Sequence, residues 1–425
     1  MVPLYHAPVR IANNKRGVLR RLFVWYDESY MRLRTVDKAK VKGKRVLVRV
    51  DFNVAVEDGT IEDDFRIKKA IPTLRLLIRK KAKIIILTHF GRPSAGVISA
   101  KEKKALSAQR LARRLSKDLK RPVRFVSECI GELPHRVVAR MKPGEIVMLE
   151  NLRFHKGEEQ NNEEFARGLA ALGDIYVNEA FSVSHREHAS VAMITRFLPS
   201  YAGLLLAKEV AVLHRAYMKP KAPLVIAMGG AKIETKIKLI QRFFDKADNI
   251  LLGGMIANHV LQAQGIAVGK SKLNKEIVEK LKKVNWMSTK IHLPVDVVVA
   301  RKISVDAATR TVGVGRVAED EFILDIGPDT AALFDHIVAG ARMIIWNGPL
   351  GLSELKPFAA GTEAFARTVS KSKAFTIVGG GDSAASIDKL GLSHKIDFIS
   401  TGGGAMLEFL AGEPMPGIDA LVHKA

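Results

Sequence analysis

The sequence predicts an α/β fold: two doubly wound, three-layer (α/β/α) domains with parallel sheets, joined by a helix and a hinge. Three observations lead there. From Val46 onward, short β-rich apolar runs alternate with longer charged segments of helical spacing, the pattern of parallel strands connected by helices. These runs fall into two sets with one helix-like stretch between them. At 425 residues and 47% hydrophobic, the chain is also long enough to build two cores.

In chain order, residues 1–30 read as a basic extension, expected to be flexible. They hold five Lys/Arg against two Asp/Glu, and VLRRLFVWY is too broken by arginines for a secretory leader. Asp27 and Glu28 argue against a transit peptide, and Met31 is an alternative start. Residues 31–200 form the first domain, with strand candidates RVLVRVDFN, KIIILTHFG, EIVMLENLR and DIYVNEAF. The stretch FLPSYAGLLLAKEVAVLHRAYMKPKAP supplies an inter-domain helix at 201–220, closed by Pro220 and Pro223. Residues 221–405 form the second domain, with LVIAMGG, NILLGG, VDVVVA, MIIWNGPLG, FTIVGGGDS and DFISTGGGA as strands. Residues 406–425 are expected to pack back on the first domain. Helical spacing marks KEKKALSAQRLARRLSKDL and NKEIVEKLKKV.

Composition excludes several classes. The single Cys129 cannot form an intramolecular disulfide or a cysteine-rich zinc scaffold, and points to a reducing, cytoplasmic location. No apolar run reaches the 18 or so residues that span a bilayer, so a soluble protein without a membrane partner is expected. The net charge of +24 attracts polyanions. Yet the cations are scattered and aromatics make up only 6%, so no specific nucleic-acid partner is expected, and the charge reads as a basic surface with an anion-attracting cleft.

The ends of the strands carry the chemistry, as expected where ligands bind beyond the carboxyl edge of a parallel sheet. In the first half those ends hold Arg49, Asp51 and Asn53, then His89 and Arg92, Arg153, and Asn178, His185 and Arg186, with Arg66 nearby in DDFRI. Guanidinium forks suit carboxylate and phosphate oxygens, so this set reads as a site for a small polyanion. In the second half the ends are glycine-rich: GGAK, GG at Gly253 and Gly254, NGPLG, GGGDS and TGGGA. Turns without Cβ atoms let backbone N–H groups reach phosphates, and a helix N-terminus adds favourable dipole charge. Five of them read as a nucleotide site. Lys232 and Lys236, four apart, are expected on one helical face, and Asp382 is a magnesium carboxylate candidate.

Two stretches imitate nucleotide motifs. GIAVGKS, Gly265 to Ser271, has three residues where a phosphate loop needs four before Gly-Lys-Ser. GVGRVA fits a loose dinucleotide fingerprint but is followed by EDEFILDIGP instead of an apolar helix. Neither is expected to bind phosphate.

Taken in order, RVDFNVA, THFGRP, LENLRF, YVNEAF with SHREH, GGAKIETK, LGGMIANH, DIGPDT, WNGPLG, GGGDS and STGGGA closely resemble the phosphoglycerate kinase family, from about Met31 to the C-terminus. The resemblance implies reversible, magnesium-dependent transfer of the acyl phosphate of 1,3-bisphosphoglycerate to ADP, giving ATP and 3-phosphoglycerate in glycolysis, by in-line transfer after hinge closure in a monomer. It puts the phosphoglycerate in the first domain on Asp51, Phe52, Asn53, Arg66, His89, Phe90, Gly91, Arg92, Arg153, His185 and Arg186. It puts Mg-ATP or Mg-ADP in the second on Gly230, Ala231, Lys232, Lys236, Gly254, Asn347, Glu354, Gly380, Gly381, Asp382 and Ser383. Arg66 and Lys232 are implied as the catalytic cations, Gly402 and Gly403 as transition-state stabilising, and Asp382 as the Mg²⁺ residue. The chain departs from the family pattern at Ala55 for proline, Glu179 for aspartate, Ser353 for an aromatic and Ser383 for threonine.

Overall fold

The computed structural model describes residues 33–422, apart from positions 55, 58–59, 62, 94–97, 283–285 and 287. The 1–30 extension, the Met31 start and Ala55 lie outside the described residues.

The first apolar runs form a six-stranded parallel sheet from β1 (Arg45–Arg49), β2 (Lys83–Leu87), β3 (Val123–Phe125), β4 (Ile146–Met148), β5 (Ile175–Asn178) and β6 (Ser200–Ala202), in the order β3-β4-β2-β1-β5-β6. Successive residues point to opposite faces, so each strand feeds two cores. Val46, Val48, Ile84 and Ile86 pack against α1 (Phe65–Arg79) and α2 (Gln109–Leu119). Leu47, Ile85 and Tyr176 pack against α3 (Glu132–Ala139) and α4 (Glu163–Ala170). The charged stretch 101–119, read as one helical pattern, is interrupted at Leu106–Ala108. There Ser107 Oγ (2.8 Å) and the Ala108 N–H (2.7 Å) both donate to the Glu150 carboxylate, and α2 starts afresh.

The long helix α5 (Leu204–Met218) leads into the second parallel sheet. It contains β7 (Leu224–Met228), β8 (Asn249–Leu252), β9 (Ile291–His292), β13 (Met343–Asn347), β14 (Phe375–Gly379) and β15 (Phe398–Ile399), ordered β9-β8-β7-β13-β14-β15. One face packs on α5, α6 (Ile233–Phe243), α7 (Gly254–Ala263) and α11 (Gly403–Ala411). The other packs on α8 (Pro328–Ala339), α9 (Ala360–Lys371) and α10 (Gly381–Lys389). The run VDVVVA differs from expectation: β10 (Asp296–Ala300) leaves the parallel sheet and pairs antiparallel with β11 (Arg310–Gly313) and β12 (Phe322–Ile326). No helix among the described residues is long and apolar enough to cross a membrane.

The two sheets are tied together twice. On α11, Phe409 meets Phe181 of the first half edge to face, with centroids 6.1 Å apart. After Met415 the chain crosses back, where Asn178 Nδ2 donates to the Gly417 carbonyl (2.9 Å) and Leu33 bridges to Val422.

Candidate functional site

Each sheet has one point where chain connections depart in opposite directions, leaving a crevice at the carboxyl edge. In the first sheet it lies between β1 and β5, in the second between β7 and β13. The sequence-predicted residues gather at these two crevices.

At the first, Asp51 organises the loop after β1. Its carboxylate accepts from Arg66 Nη1 at 2.7 Å, from the Asn53 N–H at 3.1 Å and from the Ser182 hydroxyl. Burial opposes ionisation, but Arg66, His89 and these hydrogen bonds together hold the carboxyl below the usual range. Arg66 occupies the first turn of α1, and its Nη1 also reaches the Asn53 carbonyl (3.1 Å). Arg49, a candidate cleft cation, is instead buried under the site at 1% exposure, held by Ser190 (2.8 Å) and facing Glu158. Its Nη2 lies 3.1 Å from His89 Nδ1. Guanidinium only donates, so Nδ1 accepts and the His89 proton sits on Nε2, 3.9 Å from Asp51. Burial and Arg49 keep this imidazole well below its ordinary pKa.

Phe52 and Phe90 bury their rings in the core and offer only backbone to the site, the Phe52 N–H donating to Thr88 and the Phe90 N–H to Asn151. Gly91 has φ +64°; its N–H donates to Asn53 Oδ1 (2.8 Å) and its carbonyl accepts from Arg153 Nη1 (2.7 Å). Arg92 is exposed beside them. His185 is pushed down to about 4 by burial, Arg186 and Lys232, and its Nδ1 is a buried atom without a hydrogen-bond partner.

These groups enclose a polar cleft of about 140 Å³ that includes Asp51, Arg66, His89, Arg92, Arg153 and Arg186. Three residues of the second half close it: Lys232, Gly403 and Gly404. Ser182 and Gly404 were not named individually as site residues from sequence; Ser182 falls in the gap between YVNEAF and SHREH, and Gly404 lies inside TGGGA.

At the second crevice, the glycines permit backbone contact. A Cβ on Gly348 (φ +89°) would overlap the Gly229 carbonyl, and one on Gly403 would lie 2.6 Å from Gly380 Cα. Gly230 and Gly254 also take positive φ, and the Gly254 N–H donates to Leu350 (2.8 Å). The two lysines do not share a helical face as expected. Lys232 is the non-helical N-cap of α6 and turns toward the cationic cleft, whereas Lys236, in the first turn, is 3% exposed and donates to the Gly229 carbonyl. Burial and neighbouring Lys232 push Lys236 down to about 8. Asn347 is buried and reaches the Gly403 carbonyl at 3.3 Å, and Gly402 is pressed against the Phe181 ring.

Beyond the turns lies a mainly apolar cavity of about 300 Å³. Gly230, Ala231, Gly254 and Asp382 line one part, and Glu354 projects beside Leu352, while Ser353 is not on the wall. Gly380 (φ +101°) and Gly381 open α10, and the buried Ser383 Oγ has no hydrogen-bond partner. Asp382 is an exposed carboxylate in that first turn. Among the described residues no group of three or more His, Cys, Asp or Glu is placed to hold a metal. One carboxylate at a phosphate-sized glycine turn fits magnesium that arrives with a nucleotide and takes its other ligands from phosphates and water.

The phosphoglycerate kinase family model matches residues 36–413. The phosphoglycerate kinase of Pelotomaculum thermopropionicum is 44% identical over 398 residues, 93% of this chain and all of that protein. That of Desulfosudis oleivorans is 45% identical over 395 residues, 92% of this chain and 98% of the other. Among solved structures, phosphoglycerate kinase from Coxiella burnetii superposes with TM-score 0.77 at 39% identity, and that from Pyrococcus horikoshii with 0.80 at 32%; each covers 92% of this chain and 98% of its own.

Proposed function

The chain belongs to the phosphoglycerate kinase family, and from that premise we propose that it transfers the acyl phosphate of 1,3-bisphosphoglycerate to ADP, reversibly, giving ATP and 3-phosphoglycerate. The observation that carries this reading is the mixed wall of the polar cleft: Lys232 and the Gly403–Gly404 turn stand opposite Arg66 and its neighbours from the other half. A phosphoryl group passing between the halves is thus met by cations and backbone N–H groups from both.

The reaction needs no protein nucleophile or general base. The bond between phosphorus and the carboxylate oxygen breaks as a bond to the terminal oxygen of ADP forms, and no proton changes hands. Catalysis is then a matter of alignment and charge stabilisation. In this reading Arg92, Arg153, Arg186 and neutral His185 hold the phosphoglycerate, and Asp51 aims Arg66 at the moving group. Lys236 and the glycine turns hold the nucleotide phosphates, Ser383 finds its missing partner there, and Glu354 takes the ribose. Magnesium bound with the nucleotide offsets phosphate charge, and Asp382 is the carboxylate offered to it. Each chain carries both sites, which supports a monomer, and the single buried Cys129 suits the cytoplasm. Closure about α5 would bring the ligands in line and exclude water from the acyl phosphate.

The test is ADP formation from Mg-ATP with and without 3-phosphoglycerate, with glyceraldehyde-3-phosphate dehydrogenase and NADH drawing off the product. Turnover that requires both substrates and magnesium is expected; nucleotide binding without turnover would overturn the reading.

A further inference from the structure

Lysines and arginines that stand apart in the sequence meet at the edge of the first sheet that the cleft leaves unused. In a parallel sheet all strands start at one edge, so the links that enter β1, β2, β3 and β4 lie side by side, opposite the crevice. Backbone bonds fasten three of them together: the Gly43 N–H donates to the Lys81 carbonyl (2.9 Å), the Lys83 N–H to the Lys44 carbonyl (2.8 Å) and the Gly144 N–H to the Ala82 carbonyl (2.8 Å). These links, residues 39–44, 80–82, 120–122 and 140–145, carry nine Lys/Arg and a single acid, Glu145. The links that enter β7, β8, β13, β14 and β15 of the second sheet, residues 219–223, 244–248, 340–342, 372–374 and 390–397, carry six Lys/Arg and three acids. The excess therefore belongs to one pole of the first domain.

Helix C-termini at this edge favour a cation each, which accounts for part of the excess. The rest is not used within the fold. Lys42, Lys44, Lys81, Lys120, Arg121 and Lys142 are exposed, and among the described residues no ion pair holds them. The nearby carboxylates are engaged elsewhere, Asp118 with Arg114 at 3.0 Å and Asp174 with Arg45 at 2.6 Å. Lys81 (φ +56°) and Lys120 (φ +53°) even take the left-handed conformation just past α1 and α2, where glycine or asparagine sits with less strain. Neighbouring strands run about 4.8 Å apart, inside a Debye length of about 8 Å, so the cations of adjacent links act as one field. The large apolar side chains that are exposed among the described residues, Met218, Val295, Ile303 and Val305, lie elsewhere, so a bilayer would lack the second anchoring signal that stable attachment takes. A polyelectrolyte needs none, because release of its condensed counterions drives binding. The four links hold no aromatic residue to stack on single-stranded bases, and they project no helix into the deep major groove of B-form DNA. An A-form helix offers phosphates across a wide, shallow minor groove, which such an edge can meet.

We infer that the amino edge of the first sheet binds double-helical RNA through its phosphates, irrespective of sequence, at the far end of the domain from the polar cleft. Fluorescence anisotropy with a labelled RNA duplex of about 20 base pairs, over a salt series, tests it on the full chain. A rim variant combines Lys42→Gln, Lys81→Asn, Lys120→Asn and Arg121→Gln; a second variant removes as many cations near the amino edge of the other sheet, by Lys219→Gln, Lys371→Gln, Lys373→Gln and Lys395→Gln. The wild type is expected to bind with an affinity that falls steeply with salt. The rim variant is expected to show a slope of log K against log salt shallower by about three to four, Arg121→Gln alone by about one, and the second variant a slope near wild type. Phosphoryl transfer and melting temperature are expected to stay unchanged in all of them, which separates lost contacts from lost folding. Absence of wild-type binding at low salt, equal losses in the two fourfold variants, tighter binding of a DNA duplex of the same sequence, or uptake by phosphatidylserine vesicles without RNA binding would each overturn the inference.

Discussion

Arg66 illustrates how one side chain is placed by several weak instructions. Its position in the first turn of α1 points it at the cleft, and Asp51 then fixes the guanidinium at 2.7 Å. Arg66→Ala is expected to lower kcat about a hundredfold or more while leaving the melting temperature near wild type, since the side chain is partly exposed and its loss opens no core cavity. Wild-type turnover would show that the moving phosphoryl group does not meet it. Lys236 makes a second prediction. Its ammonium, held down to about 8, is charged below that pH and neutral above it. Affinity for ADP is therefore expected to fall as pH rises through about 8, with proton uptake on binding near that pH, and Lys236→Met is expected to lose that dependence. Sequence alone singled out Arg66, Arg92, Arg153, Arg186 and Lys232, which line one cleft, because each stands in or beside a motif at a strand end. It did not show that Arg49 lies beneath the site, because its partner Glu158 comes from a distant turn, or that Lys236 is buried, because that follows from the side chain folding back onto Gly229 in the turn before its helix.

At the scale of elements, α5 is held by two buried carboxylates. Glu179, after β5, accepts from the Thr73 hydroxyl and from the Leu205 N–H at the helix start (3.2 Å), and Gly203 must lack a Cβ to make room for it. Farther along α5, Glu209 accepts from the Thr401 N–H (2.7 Å) and hydroxyl (2.9 Å) of the TGGGA turn. Burial pushes Glu179 up to about 8 and Glu209 up to about 7. Between the ordinary value of 4.5 and about 8, the native state keeps a proton on Glu179 that the unfolded chain has released. This contribution is full below that ordinary value and is lost as pH rises through the folded one. Glu179→Gln is expected to fall less in melting temperature than wild type between about pH 6 and 9, by roughly 2–4 °C; parallel melting curves would refute the assignment. The long strands were legible because four or five consecutive apolar residues are buried on both faces. The edge strands β3, β6 and β9, with two or three residues each, carry too few side chains to stand out, and VDVVVA has the composition of a parallel strand although its partners are antiparallel.

For the molecule as a whole, the two halves meet across a cleft that neither completes alone. Adding 3-phosphoglycerate and a non-hydrolysable Mg-ATP analogue together is expected to reduce the radius of gyration in solution scattering, and either ligand alone to reduce it less; identical profiles would count against closure. The net charge of +24 is a different matter from the cleft. It is scattered along the sequence, so any retention on nucleic acid is expected to be lost on raising salt, as counterion release dictates. The bridge between Leu33 and Val422 has a separate consequence. The first and last described residues thus lie side by side, and the two halves need not be written in this order: a short linker from Val422 to Leu33, with a new opening cut in a surface loop, would give a rearranged gene whose product has the same two crevices.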